Sequence, residues 1–285
     1  TTETFGAGNA GNIEVAADSI HVSAVNDDLR GFTVSTGGDP TYAASSISAS
    51  SSAKLLGDQA TGDSGYIRIT TERLTMQEGG LISSETDTPG MGGHIEVAAD
   101  DVGLFSGASI SAMSTGSNLA GKAGDISIVA QNTFRSDHSS ITTSAEQAKG
   151  GDIAVSARSM ELFNNSLVSA KSSGEGDAGD IYLGATDSLI MRNSVVTTEA
   201  TQADGGNIKV SAEYMVHLID SEITASVGGG PETVGGNVSI DPEYVILTNS
   251  KIIANAFEGM GGNIDISADV FLADPNSIVD ASSAL

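Results

Sequence analysis

Three aspartates that recur at nearly equal intervals are the residues best placed to do chemistry in this chain. Asp125, Asp152 and Asp180 each follow a glycine and precede an isoleucine, at intervals of 27 and 28 residues. If one interval is one structural repeat, the three carboxylates stack at ~4.8 Å on neighbouring strands and repel one another. Ca²⁺, which takes roughly six to eight oxygen ligands, could bridge them. The sequence requires no cofactor, and calcium at these aspartates is its one metal candidate. The competing interpretation is that Asp simply favours this turn, with its side chain in water.

A second column of carboxylates lies five residues after the same repeated isoleucine, at the position of a turn. Some parallel β-helices cleave pectin with clustered carboxylates and basic residues, but here the nearest pair is Asp100-Asp101, and the chain has only 12 basic residues. It has no Cys, and no His-Glu-x-x-His, Gly-x-Ser-x-Gly or phosphate-loop motif. The acidic column at the turn consists of Asp18, Glu72, Asp100, Glu213, Glu243 and Asp269. Because these motifs and basic partners are missing, we predict a protein that is not an enzyme.

The charge of the chain restricts its partners. A formal net charge of −25 and a pI near 4.1 repel phosphate backbones and anionic membrane surfaces. No apolar run approaches the ~18 residues that a membrane-spanning helix needs. We therefore expect neither nucleic-acid binding nor membrane insertion.

The motif Gly-x-Ile, once Gly-x-Val, recurs along the whole chain and defines its repeat. Most intervals between the motifs are close to 28 residues, and one is about twice as long. A period of this length indicates a solenoid or another repeat architecture. The anchoring residues are Ile13, Ile67, Ile95, Ile126, Ile153, Ile181, Ile208, Val238 and Ile264.

Three short runs with period two follow each anchor, which predicts three strands per repeat. Ile153, Val155 and Ala157 form the first run, and a second apolar pair and a third small-x-apolar-x-small run follow at nearly fixed offsets. Alternation places these side chains on one face. Asparagines such as Asn165, Asn193 and Asn249 open the third run, and we expect a half-buried amide ladder there.

These patterns predict an all-β fold, a single-stranded parallel β-helix of about nine coils with three short strands per coil. At ~4.8 Å per coil the stack would be about 43 Å long. One domain is predicted over residues 1–285, with a loop insertion near residues 25–44. A β-sandwich of short strands is the alternative, but it does not require a fixed period.

The repeats resemble those of filamentous haemagglutinin-type exoproteins of two-partner secretion systems. The resemblance is carried by runs such as Gly205-Gly206-Asn207-Ile208, Gly261-Gly262-Asn263-Ile264 and Asn276-Ser277-Ile278-Val279. It covers nearly the whole chain and is specific for architecture. It implies a right-handed helix, export through an outer-membrane partner, and adhesion at the surface of a Gram-negative bacterium.

The sequence and the resemblance together predict an adhesin-like shaft, secreted or on the outer cell surface. Its expected partners are a host surface, a neighbouring cell surface or a glycan. Unpaired strand edges at the ends of a solenoid also predict head-to-tail association into filaments. The alternative is a polysaccharide-binding or polysaccharide-processing β-helix. A groove lined with exposed aromatics beside paired carboxylates would support it, but the expected outward aromatics are few, namely Tyr42, Tyr66 and Tyr182.

Overall fold

The Gly-x-Ile anchors begin parallel strands that stack one above another. The structure is a computed structural model that describes residues 1–4, 8–23, 45–52, 61–116 and 121–283. The strands in chain order are β1 (Thr2–Thr4), β2 (Ile13–Ser23), β3 (Ser46–Ser51), β4 (Ile67–Gln77), β5 (Leu81–Ser83), β6 (Ile95–Phe105), β7 (Ser109–Ser111), β8 (Ile126–Asp137), β9 (Ser140–Thr142), β10 (Ile153–Phe163), β11 (Leu167–Ser169), β12 (Ile181–Arg192), β13 (Val195–Thr197), β14 (Ile208–Ala212), β15 (Met215–Ile219), β16 (Glu222–Thr224), β17 (Val238–Asp241), β18 (Tyr244–Thr248), β19 (Lys251–Ile253), β20 (Ile264–Ile266), β21 (Val270–Ala273) and β22 (Ile278–Asp280).

The strands form two parallel sheets whose order follows the chain. The long sheet runs β2-β4-β6-β8-β10-β12-β14-β17-β20, with β15, β18 and β21 continuing β12 alongside. The short sheet runs β1-β3-β5-β7-β9-β11-β13-β16-β19-β22. The fold is therefore an all-β parallel β-solenoid of about eight turns. All nine predicted anchors begin strands of the long sheet.

The predicted division into three strands per coil holds only in the last three coils. From β2 to β12 the first two runs form one continuous strand. Its alternation breaks once, as at Arg158 and Ser159 in β10, where two consecutive residues face outward and the register shifts. Later coils divide at this point, and one of them carries Pro242, which has no N–H to continue a strand.

The interior consists of ladders of like residues. Ile153, Ile181 and Ile208 are register partners on β10, β12 and β14, and each is 1% exposed, so these three anchors form one inward ladder. The close stacking also explains the recurring glycine. A Cβ on Gly151 would lie 1.9 Å from the Gly124 carbonyl oxygen, so no larger residue fits there.

The asparagine column lies at an exposed corner and is not a half-buried ladder. Asn165, Asn193, Asp220 and Asn249 all have positive φ, between 47° and 65°. Asn and Asp tolerate this left-handed conformation better than most residues, which accounts for their recurrence at the corner. Their side chains do bond along the stack, as from Asn249 Nδ2 to Asp220 Oδ1 at 2.6 Å.

The predicted insertion near residues 25–44 lies outside the described residues, although the strand after it, β3, pairs Ile47 with Ile82 as the repeat requires. Where the structure describes the chain, it shows no helix long and apolar enough to cross a membrane.

Candidate functional site

The three predicted metal-ligating aspartates do lie in adjacent coils, in one column along the long sheet. Asp125, Asp152 and Asp180 immediately precede β8, β10 and β12, whose first residues are register partners. Backbone hydrogen bonds fix this alignment, because the N–H of Ile126 donates to the Asp152 carbonyl oxygen and that of Ile153 to the Asp180 carbonyl oxygen, both at 2.9 Å. The repeat therefore stacks the carboxylates as the sequence predicts.

Each carboxylate in the column accepts a backbone hydrogen bond from the next coil. Asp125 Oδ1 accepts the N–H of Asp152 at 2.8 Å, and Asp152 Oδ1 accepts the N–H of Asp180 at 2.9 Å. Asp180 Oδ1 accepts both the backbone N–H of Asn207 at 2.7 Å and its amide Nδ2 at 3.0 Å. Asn237 and Asn263 continue the same pattern. Asp and Asn are interchangeable in this column because either side chain supplies the acceptor oxygen.

Lys122 pairs with the first two aspartates of this column, which we call the Asp ladder. The sequence alone did not identify Lys122 as part of the site. Its Nζ lies 2.9 Å from Asp125 Oδ1 and 3.6 Å from Asp152 Oδ2. Burial alone would raise the pKa of Asp125, but the Asp152 N–H and the Lys122 ammonium outweigh it, so the pKa lies below its ordinary value. Burial would lower the pKa of Lys122, but the hydrogen bond and charge of Asp125 and the charge of Asp152 outweigh it, and that pKa is raised.

The ammonium of Lys122 lies where a cation bridging the first two aspartates would bind. Within the residues that the structure describes, no three His, Asp or Glu side chains form a group that could hold a metal ion. A calcium ion at Asp125, Asp152 and Asp180 would have to compete with Lys122 and with the N–H donors of the ladder. The calcium hypothesis stays a prediction, which a competition experiment can test.

The Asp ladder forms one wall of a surface groove of about 430 Å³ that also contains an aromatic ring. His94, Tyr182 and Lys209 line it beside the aspartates. Tyr182 is 39% exposed, and its ring lies along the strand across Gly184. A Cβ on Gly184 would be 2.6 Å from Tyr182 Oη and 2.8 Å from Cζ, so only glycine leaves room for the flat ring. An aromatic two residues before an outward-facing glycine is the sequence signal for this arrangement.

The second acidic column lines a different groove, of about 560 Å³, at the corner within the long strands. Asp18, Glu72 and Asp100 stand there beside small alanine and threonine side chains. The adjacent Asp101 is paired with Arg73 at 3.6 Å. In the Asp100-Asp101 pair noted in the sequence, Asp101 therefore forms an ion pair with Arg73. The described residues that line this groove include no Lys or Arg.

The fold and the ladder define the chain as a parallel β-solenoid repeat protein. Comparison with protein-family models, with curated proteins and with solved structures finds no match to it. The resemblance to filamentous haemagglutinin-type repeats therefore stays a prediction.

Proposed function

We propose that this chain is a non-enzymatic shaft of a secreted or cell-surface protein of the adhesin type, built as a right-handed β-helix. The observation that supports the proposal is the unbroken parallel pairing of the anchor residues along the long sheet, from Ile13 in β2 to Ile264 in β20. Each coil contacts mainly its neighbours, so the stack extends for about 40 Å at ~4.8 Å per coil. Right-handedness is supported by the strong preference of parallel crossover connections.

A shaft of this kind holds its surfaces at fixed spacing and at a distance from the cell. The resemblance in the repeats supports two-partner secretion from a Gram-negative bacterium and binding to a host surface, a neighbouring cell or a glycan. Labelling of intact producing cells with an antibody to this chain tests the proposal. We expect surface or culture-medium signal that survives gentle washing, whereas signal only after cell lysis would overturn it.

The last coil supports head-to-tail association as part of this proposal. Phe271 and Val279 are register partners of the buried Val245 and Ile252, yet each is 45% exposed. A further coil, from a second molecule or from a longer polypeptide, would cover both side chains. Association along the axis brings together only terminal coils, so the charge of −25 opposes it less than side-by-side packing.

Glycan binding is a second candidate function, which the ring of Tyr182 supports. A flat, partly exposed aromatic ring offers an apolar face to the C–H groups of a sugar, and Asp180 and Lys209 lie beside it in the same groove. The carboxylate and ammonium groups can accept from and donate to sugar hydroxyls. Neutral or cationic saccharides suit this groove better than polyanionic ones, because the chain carries a net charge of −25.

Two variants test the ring directly. Tyr182→Ala removes the ring, and Gly184→Ala pushes it off the strand while leaving its chemistry unchanged. Both should weaken binding on a neutral-glycan array, whereas Tyr214→Ala, which removes an even more exposed aromatic from another surface, should not. Equal binding by all three variants would remove this candidate. Release of reducing ends from any bound polysaccharide would show instead that the chain is an enzyme.

A further inference from the structure

The outer surface of the second strand run changes character between β12 and β15. In β10 the outward residues are Ser159, Glu161 and Phe163, and in β12 they are Ser188, Ile190 and Arg192. From β15 onward most outward positions are apolar, with His217 and Thr248 as the polar exceptions. We call this surface the apolar stripe, and its members are Ile190, Met215, Ile219, Tyr244, Ile246, Val270 and Leu272.

Strand register aligns the stripe over four coils, and the outward-facing His217 interrupts its middle row between Ile190 and Ile246. Met215 pairs with Tyr244 and Tyr244 with Val270 in one row, and Ile246 pairs with Leu272 in the next. Leu272 is 54% exposed, and Tyr214 at the border of the stripe is 51% exposed. The rings of Tyr214 and Tyr244 pack against each other with centroids 5.3 Å apart. The other members of the stripe are partly exposed. An apolar surface that reaches solvent over several coils is typical of an interaction site.

Charged residues border the stripe and are almost all acidic. One border follows the turn before the second run and carries Asp187, Glu213, Asp241, Glu243 and Asp269, all of them exposed. The opposite border carries Asp220 and Asp274, with Arg192 at one corner. The charge and hydrogen bond of Glu243 raise the pKa of Tyr244, with smaller contributions from burial, Tyr214 and Asp269, so Glu243 of the acidic border lies in contact with the stripe.

The dimensions and borders of the stripe restrict what can cover it. Four coils span ~14 Å and the second run spans ~13 Å, which matches about ten residues of an α-helix lying along the solenoid axis. A second copy related by two-fold symmetry would place acidic border against acidic border. An anionic membrane is repelled in the same way, and an uncharged apolar partner would bury the carboxylates without partners.

From these features we propose that the apolar stripe binds a cationic amphipathic peptide segment, whose apolar side chains cover the stripe and whose Lys or Arg side chains pair with the acidic borders. The binding mode is that of an amphipathic helix on an apolar surface. It does not depend on the shaft role, because a single molecule contains the whole stripe.

The probe for this proposal is a fluorescein-labelled 14-residue peptide with Leu at positions spaced for one helix face and Lys elsewhere. Its binding is measured by fluorescence anisotropy. We expect saturable binding that weakens with salt, as ion pairs at an exposed border require. The double variant Ile246→Ser, Leu272→Ser should bind at least about tenfold more weakly, a loss of ~1.4 kcal/mol. Val129→Ser is the matched control, because Val129 is 48% exposed on another surface.

Three results would overturn the proposal. A scrambled peptide of the same composition that binds equally well to the wild type and to the double variant would indicate attraction to net charge alone. Binding of a Leu/Glu peptide as tight as that of the Leu/Lys peptide would exclude a role for the acidic borders. Sedimentation of the free protein as a dimer that Ile246→Lys dissociates would assign the stripe to a second copy. Circular dichroism melts of each variant verify that the fold is retained.

Discussion

Truncation of one rung of the isoleucine ladder tests the inward register of the structure. Ile181 is 1% exposed and lies between Ile153 and Ile208, whereas Tyr182, the next residue, faces outward and is 39% exposed. Ile181→Ala removes three buried carbon atoms, worth roughly 2 kcal/mol of transfer free energy at about 0.8 kcal/mol each. The cavity left between the two neighbouring isoleucines brings the expected loss to about 2–5 kcal/mol.

The free energy of unfolding is measured by urea denaturation followed by circular dichroism. Tyr182→Ala is the matched control, and its effect should stay within about 0.5–1 kcal/mol, as for a surface substitution. Ile181→Asp should lower stability further, because it buries an unpaired charge. If Tyr182→Ala destabilises the protein as much as Ile181→Ala, the side chains of this strand face the opposite way and the reasoning fails.

Three further predictions concern the Asp ladder and the last coil. Millimolar Ca²⁺ should raise the melting temperature relative to EDTA more in Lys122→Ala than in the wild type, because the substitution frees the carboxylates of Asp125 and Asp152. An equal response of the two proteins would mean that the Asp ladder only forms hydrogen bonds at its turn. The folded pKa of Asp125 is depressed, so its stabilising contribution is present above its unfolded pKa of ~3.9 and is lost as pH falls through the folded value. Asp125→Asn keeps an acceptor for the Asp152 N–H and should flatten this part of the pH–stability profile, and an unchanged profile would contradict the assignment. Phe271→Asp should abolish axial association seen by electron microscopy while barely lowering the melting temperature, because Phe271 is 45% exposed; filaments that persist would exclude this contact.

The coil could be predicted from the sequence because a solenoid requires like residues to stack on one another. This requirement accounts for both the period of the repeat and its small residues. The anchors Ile153 and Ile181 could be aligned by spacing alone, and the structure makes them register partners. The division into three strands could not be predicted as reliably. Whether hydrogen bonding continues around the corner at Arg158 and Ser159 depends on local backbone geometry that a pattern of apolar residues does not specify.

The side-chain contacts of the candidate site could not be predicted from the repeat, because they depend on individual residues that do not recur in every coil. Lys122 stands three residues before Asp125, and Lys149 stands at the same position before Asp152. Among the described residues only Lys122 has an ion pair with this ladder, so spacing alone does not predict the contact. The flat ring of Tyr182 depends on the absence of a side chain at Gly184, which appears as one more glycine among 35. The calcium, export and adhesion predictions depend on ligands and partners and stay predictions.

Distances between spin labels on the outer surface would test the stacked, in-register solenoid most directly. The chain has no cysteine, so pairs of labels can be attached to introduced cysteines alone. Ser127 and Ser239 belong to one outward column and are four coils apart, and Asp265 lies one coil further. Double electron–electron resonance on Ser127→Cys with Ser239→Cys, and on Ser127→Cys with Asp265→Cys, should give narrow distributions near ~19 Å and ~24 Å, allowing for the label tethers. Equal distances for the two pairs, or broad distributions beyond about 40 Å, would contradict a stack that rises by ~4.8 Å per coil.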